Sequence, residues 1–181
     1  MPTHLRYKIM HDIRITTQRL LLRPLTVLDA ADVFEWASDE RVTKYMVYTT
    51  YTDIKNVEEW LAFASKDEST YQFGFERISD GKLIGSGDMG PSKEKGCWGL
   101  GYNFRYDCWG MGYATEAVKA MIEYARENFG VRRFCASHCE PNLASGHVME
   151  KCGLHFTGYG EFQKLDGSCK MRSMEYEGEL M

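Results

Sequence analysis

The stretch from Cys97 to Phe129 constrains this chain more than any other. Trp98, Leu100, Tyr102 and Phe104 alternate strictly with Gly99, Gly101 and Asn103, the period of a strand with one buried face. After Phe104 comes Gly110-Met111-Gly112, and then Ala114, Ala117, Val118, Met121, Ile122, Ala125 and Phe129 recur at helical spacing. This predicts a helix from about Gly112 to Phe129, stopped by Gly130. A helix that opens on glycine leaves its first N–H groups unpaired and lets a ligand approach the backbone closely. Such groups receive phosphate, helped by the helix dipole. Alone, the corner is equally well a tight turn. It is no Rossmann fingerprint, since the third glycine and an upstream βαβ start are missing, and no P-loop, since G-K-[ST] is absent.

The flanking sequence supplies the other elements. Arg14 to Arg23 carries Leu20-Leu21-Leu22 and ends at Pro24, which suits a strand. Thr26 opens T-x-x-D, a capping pattern, before a helix through Ala30, Val33, Phe34 and Ala37, and a second helix runs from Asp53 to about Ser65. Tyr71 to Ile78 and Lys82 to Met89 form a hairpin around Ser79-Asp80-Gly81. Arg132 to Cys139 is a strand and Asn142 to Cys152 a short helix. Strands at Leu154 to Gln163 and Cys169 to Glu177 flank Asp166-Gly167. The order βααβββαβαββ predicts an α+β fold: one mixed sheet of about seven strands with helices on both faces. No linker divides the chain, so residues 1–181 read as one domain with 1–12 as a loose arm.

Twenty-six acidic residues against 22 Lys and Arg give a formal charge of −4, which argues against nucleic acid or a membrane surface as partner. No apolar run reaches the roughly 18 residues needed to span a bilayer, and Met1 to Asp12 lacks an apolar signal-peptide core; the expected location is cytoplasmic. The six cysteines include no C-x-x-C pair, so the expectation is reduced, mostly buried thiols and no metal site.

A second motif joins the first. Strand Arg132–Cys139 is followed by Glu140-Pro141-Asn142 and Ser145, then Val148-Met149-Glu150-Lys151-Cys152-Gly153. Asn142 stands where a helix begins, as an N-cap, a ligand contact, or both. The pair W-G-x-G-Y-A-T-E-A (Trp109–Ala117) and N-x-x-S-x-x-V-M-E-K-x-G (Asn142–Gly153) resembles the GNAT N-acetyltransferase superfamily. The match is closest to the branch that includes ribosomal-protein N-terminal acetyltransferases of the RimJ and RimL type. T-x-R-L-x-L-R-P-L (Thr17–Leu25) and G-K-L-I-G (Gly81–Gly85) are similar to that branch as well.

The resemblance implies an acetyl-CoA-dependent N-acetyltransferase without a metal. Acetyl passes to a primary amine, on a protein N-terminus or a small molecule, by direct attack in a ternary complex. It implies that strand Cys97–Phe104 splays from strand Arg132–Cys139 and that pantetheine lies between them. The cofactor contacts it implies are Tyr102, Asn103, Phe104, Trp109, Gly110, Met111, Gly112, Tyr113, Ala114, Thr115, Asn142 and Ser145. Dimers are common in the family, so a homodimer is among the expected assemblies.

Three slots depart from the family pattern. Asp107 stands where Gln or Arg often begins the phosphate motif, leaving Arg105 as a substitute cation. Met149 occupies the slot of the frequent tyrosine acid, where it reads as core packing. Gly99 occupies the slot of a glutamate base. Ser145 then remains as a weak acid for the leaving thiolate, and Glu140, His138 and Asp88 as candidate bases, of which Glu140 stands beside Ser145 as the expected catalytic pair. The resemblance implies that the acceptor approaches between the first two helices and the final hairpin, where the aromatic run Tyr45 to Tyr51, with Trp36 and Trp60, faces Gln163 to Lys170; the run reads as an acceptor pocket or as plain packing. The alternative to an enzyme is a catalytically silent acyl-CoA-binding sensor or scaffold.

Overall fold

The computed structural model describes residues 13–92 and 95–180; the expected arm at 1–12 lies outside the described residues. The chain runs β1 (Ile15–Thr16), β2 (Leu20–Arg23), α1 (Ala30–Ala37), α2 (Glu40–Thr43), α3 (Ile54–Ala64), β3 (Tyr71–Arg77), β4 (Lys82–Pro91), β5 (Trp98–Phe104), α4 (Tyr113–Phe129), β6 (Arg133–Cys139), α5 (Leu143–Lys151), β7 (His155–Gln163) and β8 (Lys170–Glu179). The eight strands form one sheet in the order β1-β2-β3-β4-β5-β6-β8-β7. That is one strand more than expected, because the segment around Leu20 breaks into two short antiparallel strands, Ile15 facing Leu22.

Local chemistry fixes the helix ends. The Asp53 carboxylate accepts from Lys55 N–H at 2.9 Å and caps α3. Asp29 accepts from the Thr26 N–H at 2.7 Å ahead of α1, the acid half of the capping pattern. At the end of α4, the N–H groups of Gly130 and Val131 turn back to Arg126 and Ala125.

Each face of the sheet has its own core. On one, Phe73, Phe75, Leu100 and Phe104 pack against Ala117, Val118, Met121 and Ala125 of α4, with Met149 of α5. Phe75 and Phe104 stack with ring centroids 5.0 Å apart. On the other, Val33, Trp36, Val57 and Leu61 of α1 and α3 pack against Leu25 and Leu83.

All strand pairs are antiparallel except β5–β6, which is parallel and pairs only at Trp98↔Phe134 and Gly99↔Cys135. Beyond Gly99 the two strands part. At the closed end Cys97 and Cys135 form a disulfide, with Cα atoms 6.0 Å apart. This corrects the expectation of reduced thiols throughout. The two cysteines are 38 residues apart in sequence, and only the register of the parallel pair brings them together. Cys108, Cys139 and Cys152 are free and buried, as expected.

Candidate functional site

The parting of β5 from β6 leaves an open strand edge. In an antiparallel pair, residues that exchange hydrogen bonds alternate with residues that do not. Arg105 N–H donates to Ile84 C=O across β4–β5 at 2.9 Å, which sets the phase. Arg105, Asn103 and Gly101 therefore turn their peptide groups to β4, while Phe104, Tyr102 and Leu100 turn theirs to the open side. One of these groups, the Phe104 carbonyl, is taken by the Trp109 indole N–H at 2.9 Å. The groups at Leu100 and Tyr102 face the fork.

Beyond β5 the corner has the backbone that glycine supplies. Gly110 and Gly112 sit at φ 74° and 82°, and Gly112 is the N-cap of α4. The first helical bond runs from Glu116 N–H to Gly112 C=O, so the N–H groups of Tyr113, Ala114 and Thr115 precede the helical ladder. Arg19, which the sequence did not single out, braces this corner from outside. It pairs with Glu116 at 2.6 Å and donates to the Met111 carbonyl at 2.9 Å.

Two cavities meet at the fork. One, of about 340 Å³, runs along the open edge and the start of α4. Tyr102, Asn103, Phe104, Trp109, Gly110, Gly112, Tyr113, Ala114, Thr115, Asn142 and Ser145, the residues the resemblance assigned to the cofactor, all line it. Met111 and Arg105 do not. Met111 turns its side chain to solvent. Arg105 pairs with Glu35 at 2.6 Å and Asp107 at 3.0 Å, so it is not a spare cation for an anion, and Asp107 is accounted for as its partner. Lys151 supplies a cation on this wall instead. The signal was present in V-M-E-K-x-G, but only packing of α5 beside the start of α4, where Cys152 Sγ lies 3.8 Å from the Thr115 carbonyl, makes it relevant.

The other cavity, of about 370 Å³, lies between the sheet and the α1–α3 layer. Trp36, Tyr45, Met46, Tyr48, Tyr51 and Trp60 line one side, and Gln72, Ser86, Asp88 and Asn103 line the sheet side. The aromatic run thus lines a cavity, and Tyr48, Tyr51 and Trp60 also pack on the second core. Tyr45, Met46, Tyr102, Asn103, Asn142 and Ser145 line both cavities, and the last four form the wall between them.

Asp88 dominates the electrostatics. It pairs in register with Gln72 on β3 and Gly101 on β5. A Cβ at residue 101 would collide with the Asp88 carboxylate, so the glycine makes room for it. The carboxylate has no hydrogen-bond or ion-pair partner among the described residues, and burial, with Asp67 adding repulsion, pushes it up to about 6. The Asn103 amide donates to Ser86 Oγ at 3.0 Å, and its oxygen is buried without a partner.

The remaining candidates separate clearly. Glu140 is bound at the surface by both nitrogens of the Arg172 fork, which holds its carboxyl below the usual range, and it lines neither cavity. His138 is buried; its Nδ1 meets the Cys139 carbonyl at 2.8 Å, and its unpartnered Nε2 is directed at Gly146 of α5. The Ser145 hydroxyl and the Tyr102 phenol are 2.9 Å apart, and the phenol also reaches the Ser145 carbonyl at 2.9 Å. Burial raises the Tyr102 phenol above its ordinary value. Met149 is 2% exposed and belongs to the core. The Asn142 side chain makes no capping hydrogen bond, so its amide is free to face the cavities it lines.

The acetyltransferase (GNAT) domain model matches residues 19–155, and the chain belongs to the GNAT acetyltransferase family of acetyl-transferring enzymes. It is similar to an uncharacterized N-acetyltransferase, YnaD, of Bacillus subtilis (strain 168), with 31% identity over 150 residues covering 81% of this chain and 85% of the relative. A GNAT-family acetyltransferase from Bacillus anthracis superposes with a TM-score of 0.80 at 24% identity, over 92% of this chain and 98% of that one. Microcin C7 self immunity acetyltransferase MccE, solved in complex with acetyl-CoA and AMP, gives 0.79 at 14% identity, over 91% and 94%. These two likenesses are of fold.

Proposed function

We propose that this enzyme transfers acetyl from acetyl-CoA to an amine, with the donor along the fork and the acceptor in the aromatic cavity. The observation that carries the reading is the junction: an open strand edge and an uncapped helix start on one side, and a lone carboxylate in an aromatic cavity on the other, divided by Tyr102, Asn103, Asn142 and Ser145. Bound acetyl-CoA would supply a thioester carbonyl at that junction.

The chain's own groups then have distinct tasks. The peptide groups of Leu100 and Tyr102 hold the amides of an extended ligand, and an N–H on this edge receives negative charge developing on the carbonyl oxygen. The N–H groups at the start of α4, with Lys151, receive phosphate. Asp88 takes the proton that the attacking amine must lose, directly or through water; a carboxyl held near 6 is ionised at neutral pH and still basic enough to serve. The Ser145 hydroxyl, bonded to the Tyr102 phenol, donates towards the departing thiolate. Positioning two reactants across one wall supplies much of the acceleration.

The test is thermal melting with and without acetyl-CoA, followed by free-thiol release against a panel of amines. Stabilisation that grows with acetyl-CoA concentration is expected by mass action. Gly112→Asp sets a carboxylate at the start of α4 and is expected to abolish that stabilisation in a folded protein. Unchanged stabilisation in the variant would remove the phosphate assignment.

A further inference from the structure

We propose that the acceptor is a small monocationic amine with an apolar or aromatic body, and that a peptide N-terminus is not a substrate. This rests on the acetyl-transfer reading above and names the acceptor that the aromatic cavity is built to take.

Charge sets the first limit. Among the described residues, no Lys or Arg lines the aromatic cavity; its charged or titratable lining beyond tyrosine is Asp88 and His138. The Asp88 carboxylate has no partner of its own, and Gly101 holds open the space it occupies. Asp88 is half-buried, and its carboxylate, without a partner among the described residues, keeps acceptor capacity that an ammonium group with N–H donors fills. Among the described residues Asp88 is the one acidic group that lines the cavity, and Asp67, which repels it, lies outside the lining, so one positive charge is matched inside.

Shape sets the second limit. Tyr48 and Tyr51 stand with ring centroids 5.6 Å apart, and they form, with Trp36 and Trp60, an apolar wall across from Asp88. Aromatic faces of this kind hold an apolar body and also attract a cation. A strap ties this wall to the final hairpin. The Lys164 ammonium, in the turn between β7 and β8, donates to the carbonyls of Thr43 and Tyr48 at 2.9 and 3.0 Å, and the Leu165 N–H donates to the Val47 carbonyl at 2.7 Å. The final hairpin is thereby bound to the loop that carries the aromatic run, and Phe162 of the same hairpin lines the cavity. A peptide needs a groove that continues for each following residue, about 3.3 Å at a time. A strapped cavity of about 370 Å³ is instead of the size that encloses one small molecule.

The experiment uses the full chain with acetyl-CoA and follows thiol release with tyramine, benzylamine, spermidine and tetrapeptides beginning with Ala, Ser or Met. In parallel, melting with CoA is followed as tyramine or its uncharged analogue 4-ethylphenol is added. Tyramine and benzylamine are expected to exceed every peptide in kcat/KM by about a hundredfold, the scale of missing a matched pocket contact. Tyramine should raise the melting temperature where 4-ethylphenol does not, and Asp88→Asn should weaken tyramine binding about thirtyfold. Peptide turnover equal to that of tyramine overturns the inference and leaves acetyl transfer standing. So does the absence of any tyramine-induced shift in wild-type protein that acetyl-CoA does stabilise. Absence of any acetyl-CoA effect overturns both readings together.

Discussion

Asp88 is a carboxylate placed against its own preference. The folded state raises it from 3.8 to about 6, so folding favours the protonated form. The stabilising effect of that proton is complete below about pH 4 and is lost as pH rises through 6. Asp88→Asn removes the penalty. The variant is expected to melt with wild type at pH 4 and above it at pH 8, by the equivalent of about 1–3 kcal/mol once partial access to water is allowed for. The same variant should be nearly inactive at every pH. Wild-type kcat/KM should fall about tenfold per pH unit below 6, since the base must be ionised. A pH–rate profile flat down to 5 would assign the proton transfer elsewhere. Gly101→Ala tests the setting of this group: the added methyl drives the carboxylate aside, so kcat should fall more than stability does.

Among the elements, the β5–β6 pair combines the opposite demands of anchoring and parting. Two residues pair, a disulfide closes the pairing end, and the rest of β5 is free for a ligand. In the chain-entropy account, a crosslink over 38 residues stabilises by about 4 kcal/mol. Cys97→Ser with Cys135→Ser, or reduction by a dithiol, is therefore expected to lower the melting temperature markedly and to weaken acetyl-CoA binding as the fork loses its fixed origin. An unchanged melting curve after reduction would show that Trp98↔Phe134 and Gly99↔Cys135 pairing hold the fork alone. The helices were legible for simple reasons: Asp53 and Gly130 sit at the ends of α3 and α4 as capping chemistry requires. Asn142 misled in one respect, because a residue type suited to capping makes no cap here.

At the scale of the molecule, the two cavities draw mainly on different elements. The start of α4 and one side of α5 line the fork cavity, and α1, α3 and the aromatic run line the other, with Tyr45, Met46, Asn142 and Ser145 shared by both. Lys151→Ala is accordingly expected to raise KM for acetyl-CoA about threefold to tenfold, an effect that shrinks in high salt because the side chain is exposed. Trp60→Ala should raise KM for the acceptor and leave that for acetyl-CoA unchanged. Steady-state kinetics on both variants with both substrates varied would check this. A change in both constants for either variant would mean that the wall of Tyr102, Asn103, Asn142 and Ser145 transmits between the cavities.

The order of elements, the glycine corner and most of the fork lining were written in local sequence, because alternation, helical spacing and glycine act over a few residues. Sequence also names Asp88, but it puts Glu140 beside Ser145 as catalytic and leaves Asp88 and His138 as alternatives. Tertiary structure separates their surroundings: it sets Glu140 against Arg172, turns His138 Nε2 to α5, and leaves Asp88 facing a cavity over Gly101. It likewise joined Cys97 to Cys135, placed Arg105 between two acids, and strapped Lys164 across to Thr43 and Tyr48. Each of these depends on partners 2 to 121 residues apart, and the closest of them, Arg105 with Asp107, shares its cation with Glu35 seventy residues away. A charge or thiol takes its role from whatever the sheet register brings beside it, and register is a property of the folded molecule.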